Sequence, residues 1–223
     1  MTDPQLISSP LGTRVSVRRH VVDNLRAALI SGELRPGETY SAPSLAKKLG
    51  VSATPVREAM LDFSRDGMVE VVPNTGFKVT AVDERQLDEI AETRLLLEVP
   101  VMGAVAEACT GEVAAAVEAL RPLAARLSEA AAAGDLVDYM EADTEFHTRF
   151  LALHGNREVV DYVRRLRSRS RLYGLQALAD AGVLEETTSE HGKMIEIALE
   201  RDRTAMEDLV RQHIGHVRGV WAQ

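Results

Sequence analysis

The sequence predicts a mainly helical chain in two parts: three short helices closed by a β-hairpin, then an all-helical bundle of about six helices. Three observations carry that expectation. From Arg14 onward, apolar residues recur at steps of three and four, the spacing of an amphipathic helix face. Two β-rich runs, Met68–Val72 and Phe77–Val82, flank Pro73-Asn74-Thr75-Gly76, a hairpin signal, and no strand signal follows them. Charge also changes sign between the parts. Residues 1–80 hold 10 Lys/Arg against 8 Asp/Glu, residues 81–223 hold 16 against 26, and the whole chain carries −8. A mildly basic module that can approach phosphate is joined to an acidic body that cannot.

Composition narrows the class. The 223 residues are 45% hydrophobic, 4% aromatic and 27% charged, which suits a globular chain with a real core. No apolar run approaches the roughly 18–20 residues of a membrane span, and no charged-then-apolar leader opens the chain. The expectation is a cytoplasmic protein with no membrane partner. A single cysteine, Cys109, excludes an internal disulfide framework and a thiolate zinc finger. The negative net charge argues against indiscriminate coating of nucleic acid.

Taken in order, residues 1–13 are rich in Pro, Ser and Gly and read as a flexible arm. A helix follows from Arg14 to Ser31 on Val17, Val21, Leu25, Ala28 and Leu29, stopped by Gly32 and the turn Arg35-Pro36-Gly37. A short helix from Ser44 to Leu49 ends at Gly50. Ser52 is an N-cap candidate for the next, with Pro55 in its first turn, where a missing N–H costs nothing. That helix runs through Val56, Ala59, Met60 and Phe63 to Gly67, and the hairpin follows. Residues 14–82 therefore read as one module, Thr80–Asp83 as a hinge, and residues 83–223 as the bundle. Its six helices fall at about 84–108, 112–133, 135–154, 157–180, 186–201 and 203–221.

Three short helices and a hairpin are the layout of a winged helix-turn-helix. One helix braces a second across a tight Gly turn, and the second presents its N-terminus to the DNA major groove. Leu49-Gly50-Val51-Ser52 supplies the turn. Candidate DNA contacts are Lys47 and Lys48 at the end of the bracing helix, and Ser52, Thr54 and Arg57 at the start of the reading helix. Asn74, Gly76 and Lys78 lie on the hairpin, within reach of the minor groove or its phosphates. The plainer alternative is that Arg57 pairs with Glu58 or Asp62 and that the lysines are simply solvated.

In the bundle, ionisable residues interrupt apolar stripes. Asp143 and His147 are i and i+4 on a stripe with Leu136, Met140, Phe150 and Leu151. His191 shares a face with Met194, Ile195 and Ala198, and His213 lies in line with Met206, Leu209, Val210, Val217 and Val220. Buried singly, each is costly, and one divalent cation would satisfy all four. The alternative is four core residues satisfied by ordinary hydrogen bonds. Arg94, on a stripe with Leu87, Ile90, Ala91, Leu97 and Val101, is a candidate anchor for an organic acid, or else an ion-pair partner of Glu98 or Asp143. His20, His154 and His216 fall off these faces.

The stretch LAKKLGVSATPVREAMLDFSRDGMVEVVPNTGFKV resembles the signature of GntR-family transcriptional repressors at Leu49, Gly50, Val51, Ser52, Thr54, Pro55, Val56, Arg57, Glu58, Ala59, Gly67 and Gly76. Ala53 departs from it where many members carry Arg, so operator preference does not carry over. The bundle resembles the FCD ligand-binding domain of the FadR-like branch, in its six-helix, VanR-like form. Glu92-Thr93-Arg94-Leu95-Leu96-Leu97-Glu98, Asp143-x-x-x-His147, Glu190-His191 and Arg211-Gln212-His213-Ile214 carry that likeness. It implies that Asp143, His147, His191 and His213 hold one divalent metal ion, zinc or nickel, with a small carboxylic-acid effector beside it.

The expected protein is a homodimeric, metabolite-responsive regulator, a repressor and not an enzyme, bound to double-stranded operator DNA of pseudo-palindromic sequence. Two other readings remain: a mononuclear metalloenzyme, with Glu190 or Tyr173 as acid or base, and a regulator whose metal is purely structural.

Overall fold

The computed structural model describes the backbone of residues 11–180, 182 and 184–221, and side chains over residues 17–215 except 173, 174, 177, 181, 183 and 186. The first ten residues of the expected arm, and the side chains of Tyr173, His216, Val217 and Val220, lie outside the described residues.

The first module opens with α1 (Leu11–Ile30), which begins three residues before Arg14. It ends where Gly32 takes φ +74°, a left-handed conformation that L side chains resist. A two-residue strand, β1 (Thr39–Tyr40), leads into α2 (Ala42–Leu49). Ser41 caps α2 by accepting from the Ser44 N–H at 3.2 Å, and Gly50 ends it at φ +67°. The next helix, α3 (Ala53–Arg65), starts where expected, but Ser52, at the N-cap position, makes no side-chain capping bond. Val56, Ala59, Met60 and Phe63 of α3 bury against Ala42, Leu45 and Ala46 of α2 and Val21, Leu25 and Leu29 of α1.

The hairpin forms from β2 (Val69–Val72) and β3 (Gly76–Val79), antiparallel with Val69 opposite Val79 and Val72 opposite Gly76. The unforeseen β1 adds to the far edge of β3, giving the order β1-β3-β2. Gly76 has a definite reason to be glycine. Its φ is +154°, and a Cβ there would sit 2.2 Å from the Tyr40 carbonyl oxygen. The wing is thus pinned to the strand that precedes α2.

Residues 80–83 carry no regular structure, and Asp83 begins the body by capping α4 (Glu84–Glu107) in a reciprocal box with Gln86. There follow α5 (Gly111–Glu118), α6 (Arg121–Ala133), α7 (Leu136–Ala152), α8 (Arg157–Asp180), α9 (Leu184–Leu199) and α10 (Arg203–Trp221). The body therefore has seven helical pieces among the described residues, where the sequence spacing counts six. The stretch 112–133 divides at Ala119–Leu120, just ahead of Pro122, whose missing N–H breaks the ladder. α4 packs closely on α10 at Gly103, where a Cβ would lie 2.7 Å from Glu207 Cγ and displace that side chain.

The first module rests on the body through α1, α7 and α8. Arg26 of α1 pairs with Glu141 of α7 and lies over the Phe63 ring at 5.6 Å. Arg169 of α8 lies against Gly67, its Cγ and Cδ 3.4 Å from where a Cβ would stand. Among the described residues no single helix is long and apolar enough to cross a membrane.

Candidate metal centre and DNA-facing surface

Three helices bring the quartet together. On α7, Tyr139, Met140, Asp143, Phe146, His147 and Phe150 are all buried, so the two ligand candidates leave the core face one turn apart. On α9, His191 sits inward with Met194, Ile195 and Ala198, and on α10 His213 sits inward with Met206, Val210 and Ile214. All four residues are 0% exposed, and one ligand atom from each lies within 4.8 Å of the others. The three imidazole rings form a triangle with centroids 5.1 Å apart on every side. His147 Nε2 is 3.1 Å from His191 Nε2, and Asp143 Oδ1 is 3.5 Å from His191 Nε2 and 3.9 Å from His147 Nε2.

The chemistry of these donors fits a divalent cation. The Thr188 carbonyl can only accept, so His191 Nδ1, 3.0 Å away, donates to it and the ring turns Nε2 toward the other three residues. His213 Nδ1 sits 2.7 Å from the Glu190 carboxylate, and its buried Nε2 has no hydrogen-bond partner among the described residues. An acceptor behind the ring, as His191 and His213 have, is how metal-ligating histidines are usually held. Burial holds His147 and His213 well below the ordinary imidazole range, assisted by Arg167 and by His191 respectively, so both rings are neutral. Neutral rings aiming lone pairs at one point, with an aspartate beside them, are a poor apolar core and a good set of N/O ligands.

A belt of buried arginines surrounds the quartet. Arg171 Nη2 donates to Asp143 Oδ1 at 2.8 Å and Arg167 Nη2 to Asp143 Oδ2 at 2.9 Å. Arg167 Nη1 also reaches Glu98 Oε2 at 2.8 Å, and Arg94 Nε reaches Glu98 Oε1 at 2.6 Å. Burial alone would raise both carboxyls. The arginines outweigh it, holding Asp143 well below the usual carboxylate range and Glu98 below its own. Arg94 therefore takes its ion-pair position with Glu98, yet among the described residues its buried Nη2 finds no partner, and neither do Arg167 Nε and Arg171 Nη1.

Arg167 and Arg171 escape sequence reasoning because they sit in the run Arg164-Arg165-Leu166-Arg167-Ser168-Arg169-Ser170-Arg171, which resembles a solvated face. The signal that finds them is periodicity: both fall at helical spacing from buried Val160, Val163, Leu175 and Leu178. Glu190 orients His213. His20 and His154 are exposed, off the quartet.

On the first module, Lys47, Lys48, Ser52, Thr54, Arg57, Asn74 and Lys78 are all exposed, and Gly76 is half-buried under Tyr40. Arg57 does not pair with Glu58 or Asp62, the local partners of the plainer alternative. Asp62 is bound by Arg18 and Arg65, both at 2.6 Å, and Glu58 lies 3.8 Å from Arg18. Arg57 forms no ion pair among the described residues. Asn74 carries the turn at φ +60° and so projects at the hairpin tip.

A winged helix-turn-helix with a free arginine one turn into its reading helix, carried on a closed helical body, defines a DNA-binding transcriptional regulator. The chain belongs to the gntR family of bacterial regulatory proteins, matched over residues 17–79, and carries an FCD domain, matched over residues 89–216. It is similar to the HTH-type transcriptional regulator McbR of Escherichia coli, 34% identical over 132 residues, which are 59% of this chain and 58% of McbR. The solved structure of E. coli McbR/YncC superposes with a TM-score of 0.70 at 25% identity, covering 92% of this chain and 97% of that one. It is also similar to the HTH-type transcriptional repressor GlaR of E. coli, 25% identical over 201 residues, which are 85% of this chain and 89% of GlaR.

Proposed function

We propose that the protein is a cytoplasmic, homodimeric repressor whose hold on a pseudo-palindromic operator is set by a small organic acid bound beside a divalent metal ion, zinc or nickel, one per chain. In this reading residues 14–82 contact DNA, and residues 83–223 hold metal and acid and pair the two chains. The observation that carries it is the quartet within its arginine belt. Glu98 and Asp143 offset two of the three buried arginine charges, and Glu190 at most one more. A divalent ion would supply two further positive charges and open positions for an oxygen donor. The interior is then short of negative charge, which a carboxylic acid supplies.

The residue roles follow. His147, His191, His213 and Asp143 ligate, Thr188 and Glu190 fix two of the rings, and Arg94, with an unpartnered Nη2, receives a carboxylate. Lys47, Lys48, Asn74 and Lys78 hold phosphates and set register, while Ser52, Thr54 and Arg57 face base edges or the adjoining backbone. Gly76 acts through the backbone by letting the wing close on β1. The acid controls DNA affinity only insofar as it prefers one arrangement of the two reading modules over the other. A purely structural metal is the second reading, favoured by the complete burial of the quartet.

The experiment selects a high-affinity duplex from a random library, then follows its binding by fluorescence anisotropy while mono-, di- and tricarboxylic acids are titrated into zinc-loaded protein. The expected result is an acid that shifts operator affinity and loses its effect in Arg94→Met. Operator binding indifferent to every acid, with no calorimetric binding of any acid, would leave the structural metal as the reading.

A further inference from the structure

We infer that Glu98 is the positioning carboxylate of His147, completing an outer shell that the other two imidazoles already possess; the inference rests on the metal reading above. A histidine that ligates through Nε2 carries its hydrogen on Nδ1, and a buried N–H without an acceptor costs about 1–3 kcal/mol. His191 and His213 meet that demand with the Thr188 carbonyl at 3.0 Å and the Glu190 carboxylate at 2.7 Å. His147 does not: its Nδ1 is buried and has no hydrogen-bond partner among the described residues. Its Nε2 is the nitrogen that faces the cluster, so the unmet atom is the one pointing away.

What lies on that side is Glu98 of α4, 0% exposed, with Oε2 4.0 Å from His147 Nδ1. Glu98 has capacity for the extra donor. Oε1 accepts from Arg94 and Oε2 from Arg167, and each carboxylate oxygen offers two lone-pair sites. Oε2 can therefore take the His147 Nδ1–H without releasing Arg167. An approach of about 1 Å brings the pair to ordinary hydrogen-bond length. The same approach ties α4, the helix that leads out of the linker at residues 80–83, to the ligand set on α7, α9 and α10. Glu98 then serves Arg94 and His147 together, so the acid anchor and the metal centre share one carboxylate.

The test uses full-length protein with 15N-labelled histidine, titrated with zinc alone and followed by proton–nitrogen correlation spectroscopy, with chelator competition for zinc affinity. In the zinc-loaded wild type, the His147 Nδ1–H is expected to exchange slowly and to show cross-relaxation to the Glu98 γ-methylene. Glu98→Gln is expected to raise the zinc Kd about 10- to 100-fold. It should displace the His147 Nδ1–H signal and leave those of His191 and His213 in place. Mere packing damage would move all three together, and that outcome overturns the inference. So does a zinc Kd in Glu98→Gln within about twofold of wild type, against the loss usual for a lost outer-shell partner, or a His147 proton that exchanges fast or lies against another group. If Glu98→Gln does not fold, the wild-type proton decides alone. A wild type that binds no zinc refutes the metal reading itself, a result distinct from the others.

Discussion

Asp143 stands between two buried guanidinium groups, and neutralising it is the sharpest stability perturbation the site offers. Asp143→Asn preserves shape and one acceptor oxygen but removes the charge that Arg171 and Arg167 approach to 2.8 and 2.9 Å. Arg167 keeps Glu98, whereas Arg171 has no other ionic partner among the described residues. Removing one partner of a fully buried pair costs about 3–5 kcal/mol, because a charge stays behind in the interior. For a chain of this size each kcal/mol moves the melting temperature by about 2–4 °C, so the metal-free variant should melt about 6–20 °C below the metal-free wild type. Scanning calorimetry with a chelator present reads this directly. Adding Arg171→Met to Asp143→Asn should restore part of the loss, since the two changes act on one pair. A single variant within about 1 kcal/mol of wild type would refute the idea that Asp143 is held by charge, because that is the scale of an exposed pair.

Metal-free protein should also weaken on mild acidification. Burial holds His147 and His213 well below the ordinary imidazole range. Below about pH 6.5 the unfolded chain therefore binds protons that the folded chain refuses, and stability falls by up to about 1.4 kcal/mol per pH unit for each ring. Glu98 and Asp143, both held low, add their own loss below about pH 4.5, where their unfolded counterparts protonate. Urea melts at pH 7.5 and 5.5 check this, and equal midpoints would contradict it. Gly76→Ala should cost the first module about 1–3 kcal/mol, because the new Cβ meets the Tyr40 carbonyl in a conformation L residues avoid. Its amide exchange near Tyr40 and Phe77 should rise while the body is unaffected. Arg57→Ala should weaken operator binding by about 1–3 kcal/mol with an unchanged circular dichroism spectrum, and an unchanged affinity would remove Arg57 from the reading surface.

The helix-turn-helix and the inward faces of Asp143 and His147 were legible because each rests on short-range pattern. Gly50, the extended Ser52 and Pro55 punctuate α2 and α3 within a few residues. The i, i+4 spacing of Asp143 and His147 places both on one face whatever the helix packs against. Long-range pairing was not legible. Two residues, Thr39 and Tyr40, are too few to show alternation, and they form a strand only because β3 offers an edge with Gly76 cleared for close approach. The division of 112–133 was readable at Pro122 but masked by an alanine-rich pattern that continues through it. Arg167 and Arg171 were hidden by their neighbours in a basic run, although their spacing matches the buried side of α8. Glu98 was visible as a partner for Arg94, but its proximity to His147 depends on how α4 crosses α7, which no local pattern encodes.

In the function proposed above, one divalent ion organises Asp143, His147, His191 and His213. Native mass spectrometry with elemental analysis, on protein supplied with zinc and with nickel, tests it most directly. One ion per chain is expected, abolished in His191→Ala and retained in His154→Ala. Protein that retains no ion, or that holds one equally well without His191, would contradict it.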